Sequence, residues 1–269
     1  MIDGMKVGCG IITRNRPQQL LRLYRSLPLH CLDTLVIVND GDRHPQFASL
    51  EAAAVVHNPV NLGVAKSKNL ALAHCRERGS EHVFLIEDDI HVKDPGVFAH
   101  YIDTALRTGI QHLNYSQHGL MNRTSDGRPA ARAHVDYSPT LKMPFYLHCV
   151  GAFSYYSRQC LDAVGPMDEG FFNAFEHVDH TLAVIKAGMH PPFLFFADAP
   201  RSWEYLGDEP WSTSQSLISS RADHTGLVAR ASERFRLKHG VLPGEVPDTP
   251  REQVLQCLQM ILHRYARSR

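Results

Sequence analysis

The sequence lacks an excess of charge of either sign. Its 269 residues include 28 lysines and arginines and 28 aspartates and glutamates, so the formal net charge is +0. Because proteins that require a polyanionic partner normally carry a basic surface, this balance argues against nucleic acid as an obligate ligand. The chain also lacks a run of roughly 20 apolar residues and the layout of a signal peptide, so we expect a cytoplasmic protein.

The cysteines lack the close spacing that marks zinc and redox sites. They are scattered through a chain of ordinary size, so we predict free thiols, most of them buried. No repeat or low-complexity linker interrupts the sequence, and its length permits one large domain with a substantial core. The six cysteines are Cys9, Cys31, Cys75, Cys149, Cys160 and Cys257.

Short apolar runs alternate with segments of helical periodicity through the first 115 residues. This alternation predicts an α/β fold with a mostly parallel, doubly wound sheet. The polar residues that end the runs are typical of the exits of buried strands. The predicted strands are 7–12, 35–38, 54–56 and 82–86, and the predicted helices follow Pro17, span 64–78 and follow Pro95.

The periodicity weakens after residue 115. Residues 116–134 are rich in polar residues, glycine and arginine, which predicts a long loop. Further strands are predicted at 141–146 and 151–156, and further helices at 158–164 and 176–187. We therefore divide the chain into residues 1–115, residues 116–215 of the same domain, and a C-terminal helical extension, 216–269.

The last predicted helix carries an apolar stripe. The residues that fall on one helical face are Val254, Leu255, Leu258, Ile261, Leu262 and Tyr265. We expect this face to pack on its own domain. A contact between the subunits of a homo-oligomer, or contact with a membrane surface, is the alternative interpretation.

Polar side chains follow three of the predicted strands. Because ligands of open α/β sheets bind beyond the carboxyl ends of the strands, these side chains are expected to surround one crevice. Three adjacent carboxylates repel one another, and a hard cation such as Mg²⁺ or Mn²⁺ would neutralise them and bind phosphate oxygens. An acidic turn before the next helix is the alternative. The three groups are Thr13–Arg14–Asn15, Asn39–Asp40 and Glu87–Asp88–Asp89.

The order and spacing of four segments resemble the family 2 glycosyltransferases, which have the GT-A fold. The resemblance implies a Rossmann-like nucleotide-binding sandwich with a mostly parallel central sheet and an elaborated C-terminal part. It also implies a metal-dependent enzyme that moves a sugar from a nucleoside-diphosphate donor, most commonly a UDP-sugar, to a hydroxyl of a glycan acceptor with inversion. The segments are 11–17, 36–42, 58–69 and 84–89, and the likeness continues more loosely to residue 188.

The resemblance assigns the first 115 residues to the donor and residues 116–215 to the acceptor and catalysis. Asp89 and Asp88 would bind Mn²⁺ or Mg²⁺, Glu87 would support them, and a downstream histidine would complete the site. The first candidate for this histidine is His224 and the second is His190, and a structural role is the alternative for both. The implied nucleotide-binding residues are Thr13, Arg14, Asn15, Asp40, Asn61, Gly63, Lys68 and Asp88. For Lys68, the alternative to nucleotide binding is a lysine on the solvent-exposed face of a helix.

The acidic motif that carries the base in such enzymes is altered here. The family usually has Glu-Asp, whereas this chain has Glu176–His177. A histidine titrates near pH 6.5 and needs different support from a carboxylate. On a helix Glu176 shares a face with Asp179, whereas His177 points elsewhere. Glu176, His177 and Asp179 therefore all remain candidates for the base.

An aromatic cluster is the candidate acceptor site. Trp203, Tyr205 and Trp211 lie among acidic residues and would suit stacking on a sugar ring, although packing of a surface loop explains them equally well. Three arginines in the predicted long loop are candidates to close over the diphosphate or to contact an anionic acceptor, and a solvated flexible loop is the alternative. They are Arg123, Arg128 and Arg132.

Two other functions share the predicted fold class. A sugar-nucleotidyltransferase normally begins with a glycine-rich loop, but residues 8–14 lie within a predicted strand. A non-catalytic relative that binds a sugar nucleotide is compatible with His177 at the position of the base. A transferase acting on modified DNA bases is a special case that the zero net charge disfavours.

Overall fold

A computed structural model describes residues 1–50, 54–208 and 222–267, and its centre is a six-stranded sheet. The strand order is β3-β2-β1-β4-β9-β6, in which β1 pairs in parallel with β2 and β4, and β2 pairs in parallel with β3. Strand β9 pairs antiparallel with both β4 and β6. These strands are β1 (Val7–Thr13), β2 (Thr34–Asn39), β3 (Ala54–His57), β4 (His82–Glu87), β6 (His112–Asn114) and β9 (Phe153–Ser157).

Helices cover this sheet because its central strands are apolar on both faces. All seven residues of β1 and all six of β2 are buried, as expected for parallel strands packed between helices. The mostly parallel α/β sheet predicted from the sequence is confirmed. The helices are α1 (Pro17–Ser26), α2 (Val64–Glu77), α3 (Val97–Thr108), α4 (Arg158–Val164), α5 (Glu176–Lys186), α6 (Ser202–Tyr205), α7 (His224–His239) and α8 (Arg251–Tyr265).

Two small sheets complete the described structure. One has the order β10-β8-β7, and the other is an antiparallel pair of β5 and β11. The pairing of β5 with β11 returns the chain to the residues that directly follow the acidic end of β4. Strand β8 was predicted and the other four were not. Of these four, β5, β10 and β11 have only two or three residues, and β7 begins within the segment predicted as a loop. Their bounds are β5 (Ile90–Val92), β7 (Ala133–Ser138), β8 (Leu141–Tyr146), β10 (Phe196–Ala197) and β11 (Leu206–Asp208).

The C-terminal helix α8 packs on its own domain, as predicted. Val254, Leu258 and Ile261 are buried in the same apolar core as the central sheet. Gly109, with φ at 76°, ends α3 against this helix, and a Cβ there would lie 2.5 Å from the carbonyl oxygen of Ile261. The close approach therefore requires glycine at this position. Within the described ranges no helix is long and apolar enough to cross a membrane.

Burial of His82 links the stability of the fold to pH. The buried ring of His82 lies 2.9 Å from the hydroxyl of Tyr155, and burial lowers its pKa to about 4 from 6.5. Between pH 6.5 and pH 4 the unfolded chain therefore binds a proton that the folded chain does not. The contribution of His82 to the free energy of unfolding thus decreases as the pH is lowered through this range.

We expect the stability difference between the native protein and His82→Gln to narrow by about 1–2 kcal/mol from pH 7.5 to pH 5. Urea unfolding at the two pH values measures this difference. The exposed His263→Gln serves as the control and should show no such change. A difference that stays constant for His82→Gln would contradict the prediction.

Candidate functional site

A cavity opens where β1, β2 and β4 end, at the carboxyl edge of the sheet. We refer to it as the strand-end cavity. Parallel strands bring their ends to the same edge, so residues far apart in the sequence meet there. Gly63 (φ 87°) begins α2 against the ring of Phe172, where a Cβ would lie only 2.6 Å from the ring. The lining is Ile12, Thr13, Arg14, Arg16, Asp40, Asn61, Val64, Glu87, Asp88 and Asn173.

Asp40 organises the loop beneath this cavity. Its carboxylate accepts hydrogen bonds from the backbone N–H groups of Leu62 and Gly63, at 2.8 and 3.0 Å, and from the Asn58 side chain at 2.7 Å. The predicted nucleotide-binding segment around Asn61 and Gly63 is therefore fixed before any ligand arrives. Such preorganisation reduces the entropy lost on binding.

Asn15 does not line the strand-end cavity, although the sequence placed it among the nucleotide-binding residues. It lies in the left-handed region (φ 51°), and its side-chain oxygen accepts a hydrogen bond from the backbone N–H of Asp42 at 2.7 Å. A Cβ on Gly41 would lie 2.1 Å from that oxygen. Asn15 thus shapes the loop after β1, and Arg16 takes the place facing the acidic residues.

Asp88 lies at the floor of the cavity. It accepts a hydrogen bond from the Thr13 hydroxyl at 2.7 Å and pairs with the Arg16 guanidinium at 2.8 Å. Burial, together with the neighbouring Asp89 and Glu87 carboxylates, raises the pKa of Asp88 to about 7 despite the opposing effect of Arg16 and Thr13. The folded chain therefore places negative charge here at an energetic cost that a bound cation would relieve.

Asp89 faces a histidine that sequence reasoning missed. Nε2 of His118 lies 4.0 Å from the Asp89 carboxylate, and its Nδ1 hydrogen-bonds to Asp208 at the end of β11. Burial lowers the pKa of His118, but the bond to Asp208 and the charges of Asp89, Asp208 and Glu87 outweigh it and raise the pKa to about 9. His118 is therefore the histidine that lies beside Asp89 in the structure.

His224 begins α7, and within the described ranges no hydrogen bond or ion pair joins it to the acidic residues. The prediction that it would complete a metal site is therefore not supported by its placement. Nothing in the local sequence marks His118 instead, because its neighbours Asp89 and Asp208 are brought to it only by the pairing of β5 with β11.

The residues around Asp89 suit a cation held partly by its substrate. In the described part of the chain no three His, Cys, Asp or Glu side chains form a complete metal cluster. One oxygen of Asp89 is nevertheless buried without a hydrogen-bond partner there, and burial raises the pKa of this carboxyl group. Mg²⁺ is commonly bound by one or two carboxylates with substrate phosphates and water. Asp89, with His118 beside it, fits that pattern.

Lys68 lies inside the protein and does not face the nucleotide cavity, which corrects the predicted ligand contact. Its ammonium pairs with Glu87 at 2.8 Å and Glu176 at 3.0 Å and donates to the carbonyl oxygen of Gly151 at 3.2 Å. Although burial lowers its pKa, the two carboxylates outweigh burial and raise the pKa above its ordinary value. Lys68 therefore joins the end of β4 to the start of α5.

Glu176 and His177 form a pair, contrary to the expectation that His177 would point elsewhere. Nδ1 of His177 lies 3.1 Å from the Glu176 carboxylate. A Cβ on Gly151 would lie 2.7 Å from the His177 ring, so glycine makes room for it. Burial raises the pKa of Glu176, but Lys68 and His177 outweigh burial and keep the pKa well below its ordinary range. Glu176 is thus ionised beside a histidine.

Asp179, the third candidate for the base, forms ion pairs with residues of another helix. Its carboxylate pairs with Lys238 and His239 of α7, each at 2.7 Å. It therefore ties α5 to α7.

A second cavity of about 360 Å³ adjoins the first, and we refer to it as the adjoining cavity. Both cavities are lined by Val64, Glu87 and Asn173, and the adjoining cavity also contains Glu176 and His177. The side-chain nitrogen of Asn173 is buried without a hydrogen-bond partner among the described residues. The two cavities together place a carboxylate–histidine pair next to a phosphate-sized acidic site.

Trp203 and Tyr205 of the predicted aromatic cluster do not line either cavity. Trp203 lines an open groove beside Tyr146, and the ring of Tyr205 stacks on His100 with centroids 4.3 Å apart. Trp211 lies outside the described residues.

The loop arginines make internal contacts. Arg123 donates to the carbonyl oxygens of Gln117 and Gly119, each at 3.0 Å, so it holds the loop together. Arg128 pairs with Asp126, and Arg132 pairs with Asp248.

Solved structures of glycosyltransferases have the same fold. TarS of S. aureus is 13% identical over 97% of this chain, with a TM-score of 0.53, and the chain spans 43% of TarS. GalNAc-T7, crystallised with UDP, GalNAc and Mn²⁺, is 11% identical, with a TM-score of 0.58 over 99% of this chain and 56% of that chain.

A mannosyltransferase of Pyrobaculum calidifontis, crystallised with GDP-Man and Mn²⁺, is 13% identical, with a TM-score of 0.53 over 96% of this chain and 70% of that chain. A TarS fragment was crystallised with UDP-GlcNAc. No protein-family model matches the chain. No curated protein sequence matches it either. The likeness confirms the GT-A fold predicted from the sequence.

Proposed function

We propose that the protein is a metal-dependent glycosyltransferase that moves a sugar from a nucleoside-diphosphate donor to an acceptor hydroxyl. The observation that carries the proposal is the convergence of Thr13, Asp40 and Asp88 on one cavity at the carboxyl edge of a GT-A sheet. Asp89 follows Asp88 directly and faces His118. The nucleotide sugars bound to the structural neighbours, UDP-GlcNAc and GDP-Man, and the Mn²⁺ in two of them, support it.

Different residues of the chain would bind the nucleoside, the diphosphate and the metal ion. The loop held by Asp40 would lie under the nucleoside, and Arg14 and Arg16 offer guanidinium groups to the diphosphate. Asp89 and His118 would hold Mn²⁺ or Mg²⁺, which stabilises the charge of the departing diphosphate. Asp208 would orient the His118 ring by accepting a hydrogen bond from Nδ1, and the metal would displace the proton from Nε2.

His177 would act as the base. With its Nδ1 proton donated to Glu176, the ring presents Nε2 as the acceptor for the proton of an incoming hydroxyl. Lys68 keeps Glu176 ionised, and ionised Glu176 stabilises the imidazolium that forms. A base on the face opposite the diphosphate would give inversion at the anomeric carbon, which NMR assignment of the product anomer tests.

Donor binding is the direct test of the function. A thermal-shift series with UDP, GDP and their sugars should give a rise of several degrees with Mn²⁺ and a much smaller one with EDTA, because ligands of the native state stabilise it. Slow transfer of the sugar to water should accompany binding of the true donor. Equal shifts with and without the metal would contradict the proposal.

His177→Gln should lower kcat by about a hundredfold or more, the usual effect of losing a general base, with little change in donor affinity. Asp179→Asn is the matched comparison on the same helix. It should lower the melting temperature by breaking the link to Lys238 and His239 and leave kcat within about twofold. The reverse pattern would assign the base to Asp179.

A further inference from the structure

The loop between β6 and β7 presents two large apolar side chains to solvent at the adjoining cavity. Leu120 is 76% exposed and Met121 is 63% exposed, and both line this cavity. Exposed apolar side chains that gather at the mouth of a cavity commonly mark a binding surface. Deeper in the same cavity, Cys149, Val150 and Ala152 continue the apolar lining.

Hydrogen bonds on both sides hold this loop in place. The Gly119 N–H donates to Asp208 at 2.9 Å. The Asn122 side chain donates to the carbonyl oxygens of Ser116 and His148, each at 3.0 Å, and accepts from the His148 N–H at 3.1 Å. Leu120 and Met121 are therefore held between two fixed points. Their exposure is built into the loop, so a ligand can bury them without reorganising it.

The side chains that the structure describes around the cavity offer no unpaired lysine or arginine to a phosphate-rich acceptor. The described lining contains neither of these residues, which commonly hold phosphate groups. Glu87 and Glu176 pair with Lys68 behind the lining, and His118 pairs with Asp208. The formal net charge of the chain is +0. A neutral ligand with an apolar part fits these walls better than a nucleic acid or a phosphorylated lipid.

Resting on the proposed glycosyl transfer, we infer that the acceptor carries an apolar group, an alkyl chain or an aromatic ring, beside the hydroxyl that reacts. The hydroxyl lies at His177, and the apolar group lies against Leu120 and Met121 at the mouth of the cavity. The acceptor is then an amphiphilic glycoside or alcohol and not an interior unit of a hydrophilic polysaccharide.

The test compares glycosides that differ only in the apolar part. Octyl and phenyl β-glucosides, kept below micellar concentration, should bind the protein loaded with UDP and Mn²⁺ about tenfold tighter than methyl β-glucoside, as measured by ligand-observed NMR titration. Tenfold corresponds to burial of about two methylene groups. If only the octyl glucoside binds more tightly than methyl β-glucoside, the apolar group of the acceptor is an alkyl chain. If only the phenyl glucoside binds more tightly, it is an aromatic ring.

Leu120→Ser with Met121→Ser should reduce this preference to about twofold or less. Leu237→Ser with Met260→Ser is the control, because these residues are 73% and 66% exposed on other faces. Equal binding of methyl, octyl and phenyl glucosides, or an unchanged preference in the Leu120/Met121 variant, would overturn the inference. The inference would also be overturned if sedimentation showed a dimer of the native protein that the Leu120/Met121 variant does not form. Tighter binding of a hydroxymethylated oligonucleotide than of the glucosides would overturn it as well.

Two failures remain distinguishable. Donor hydrolysis with Mn²⁺ tests the transferase separately, and the Leu237/Met260 control variant, whose substitutions lie outside both cavities, should keep the native rate. If the native protein hydrolyses the donor but binds methyl, octyl and phenyl glucosides equally, only the proposed nature of the acceptor is refuted. Absence of metal-dependent nucleotide binding refutes the proposed function itself.

Discussion

Asp89→Asn is expected to reduce glycosyl transfer by about a thousandfold or more and to remove the effect of Mn²⁺ on nucleotide binding. The metal contributes several kcal/mol to the charge developing on the leaving diphosphate, and each 1.4 kcal/mol corresponds to a factor of ten in rate. Steady-state kinetics with the donor identified by thermal shift, at several Mn²⁺ concentrations, measures the loss.

The thermal stability of Asp89→Asn, unlike its rate of glycosyl transfer, should not decrease. Because burial raises the pKa of Asp89, its ionised form is disfavoured in the folded chain, and a neutral amide of the same shape removes that cost. The melting temperature of Asp89→Asn without ligand should therefore equal or exceed that of the native protein. Asp126→Asn, on the exposed part of the loop after β6, is the control and should change neither quantity. An active Asp89→Asn variant would remove Asp89 from the metal site.

Lys68→Met should destabilise the fold by about 3–5 kcal/mol, the cost of removing one partner from a buried ion pair. Glu176 would keep a charge whose side chain is only 4% exposed, with no cation in place of the lysine. Urea unfolding monitored by circular dichroism gives the free-energy difference. Activity should fall as well, because the Glu176 carboxylate beside His177 would lose the ion pair with Lys68 that fixes its position.

Lys66→Met supplies the matched control two residues away on the same helix. Lys66 is half exposed and lies 3.7 Å from exposed Glu169, so its loss should cost at most about 0.5 kcal/mol. Adding Glu176→Gln to Lys68→Met removes the unpaired charge and should recover part of the stability. A double variant less stable than Lys68→Met would show that the buried pair is not the source of the effect.

The fold of the first 115 residues could be predicted because its sequence signals are local. The apolar runs that became β1, β2 and β4 are bounded by polar residues, and Pro17 and Gly63 mark the starts of helices. The direction of β9 could not be read, since a short run such as Phe153–Ser157 contains no information about the strand it joins. The strands of two or three residues, β5, β10 and β11, are too short for any periodicity.

The site was predictable only where its residues lie within the resembling segments. Thr13, Asp88 and Asp89 belong to these segments, and the structure brings them together. His118 and Asp208 belong to none of them, and they reach Asp89 through long-range strand pairing. The roles of Lys68 and His177 depended on burial and on the absence of a side chain at Gly151, which only three-dimensional packing determines.

The pairing of β5 with β11 has a consequence for how the protein is made. Asp208 leaves the ribosome long after Asp89, so a nascent chain that has folded only its first half has neither Asp208 nor the ordered His118 beside its acidic turn. Long-range contacts of this kind form late in folding. We expect an incomplete chain to be unable to retain Mn²⁺, so that cofactor capture coincides with completion of the polypeptide.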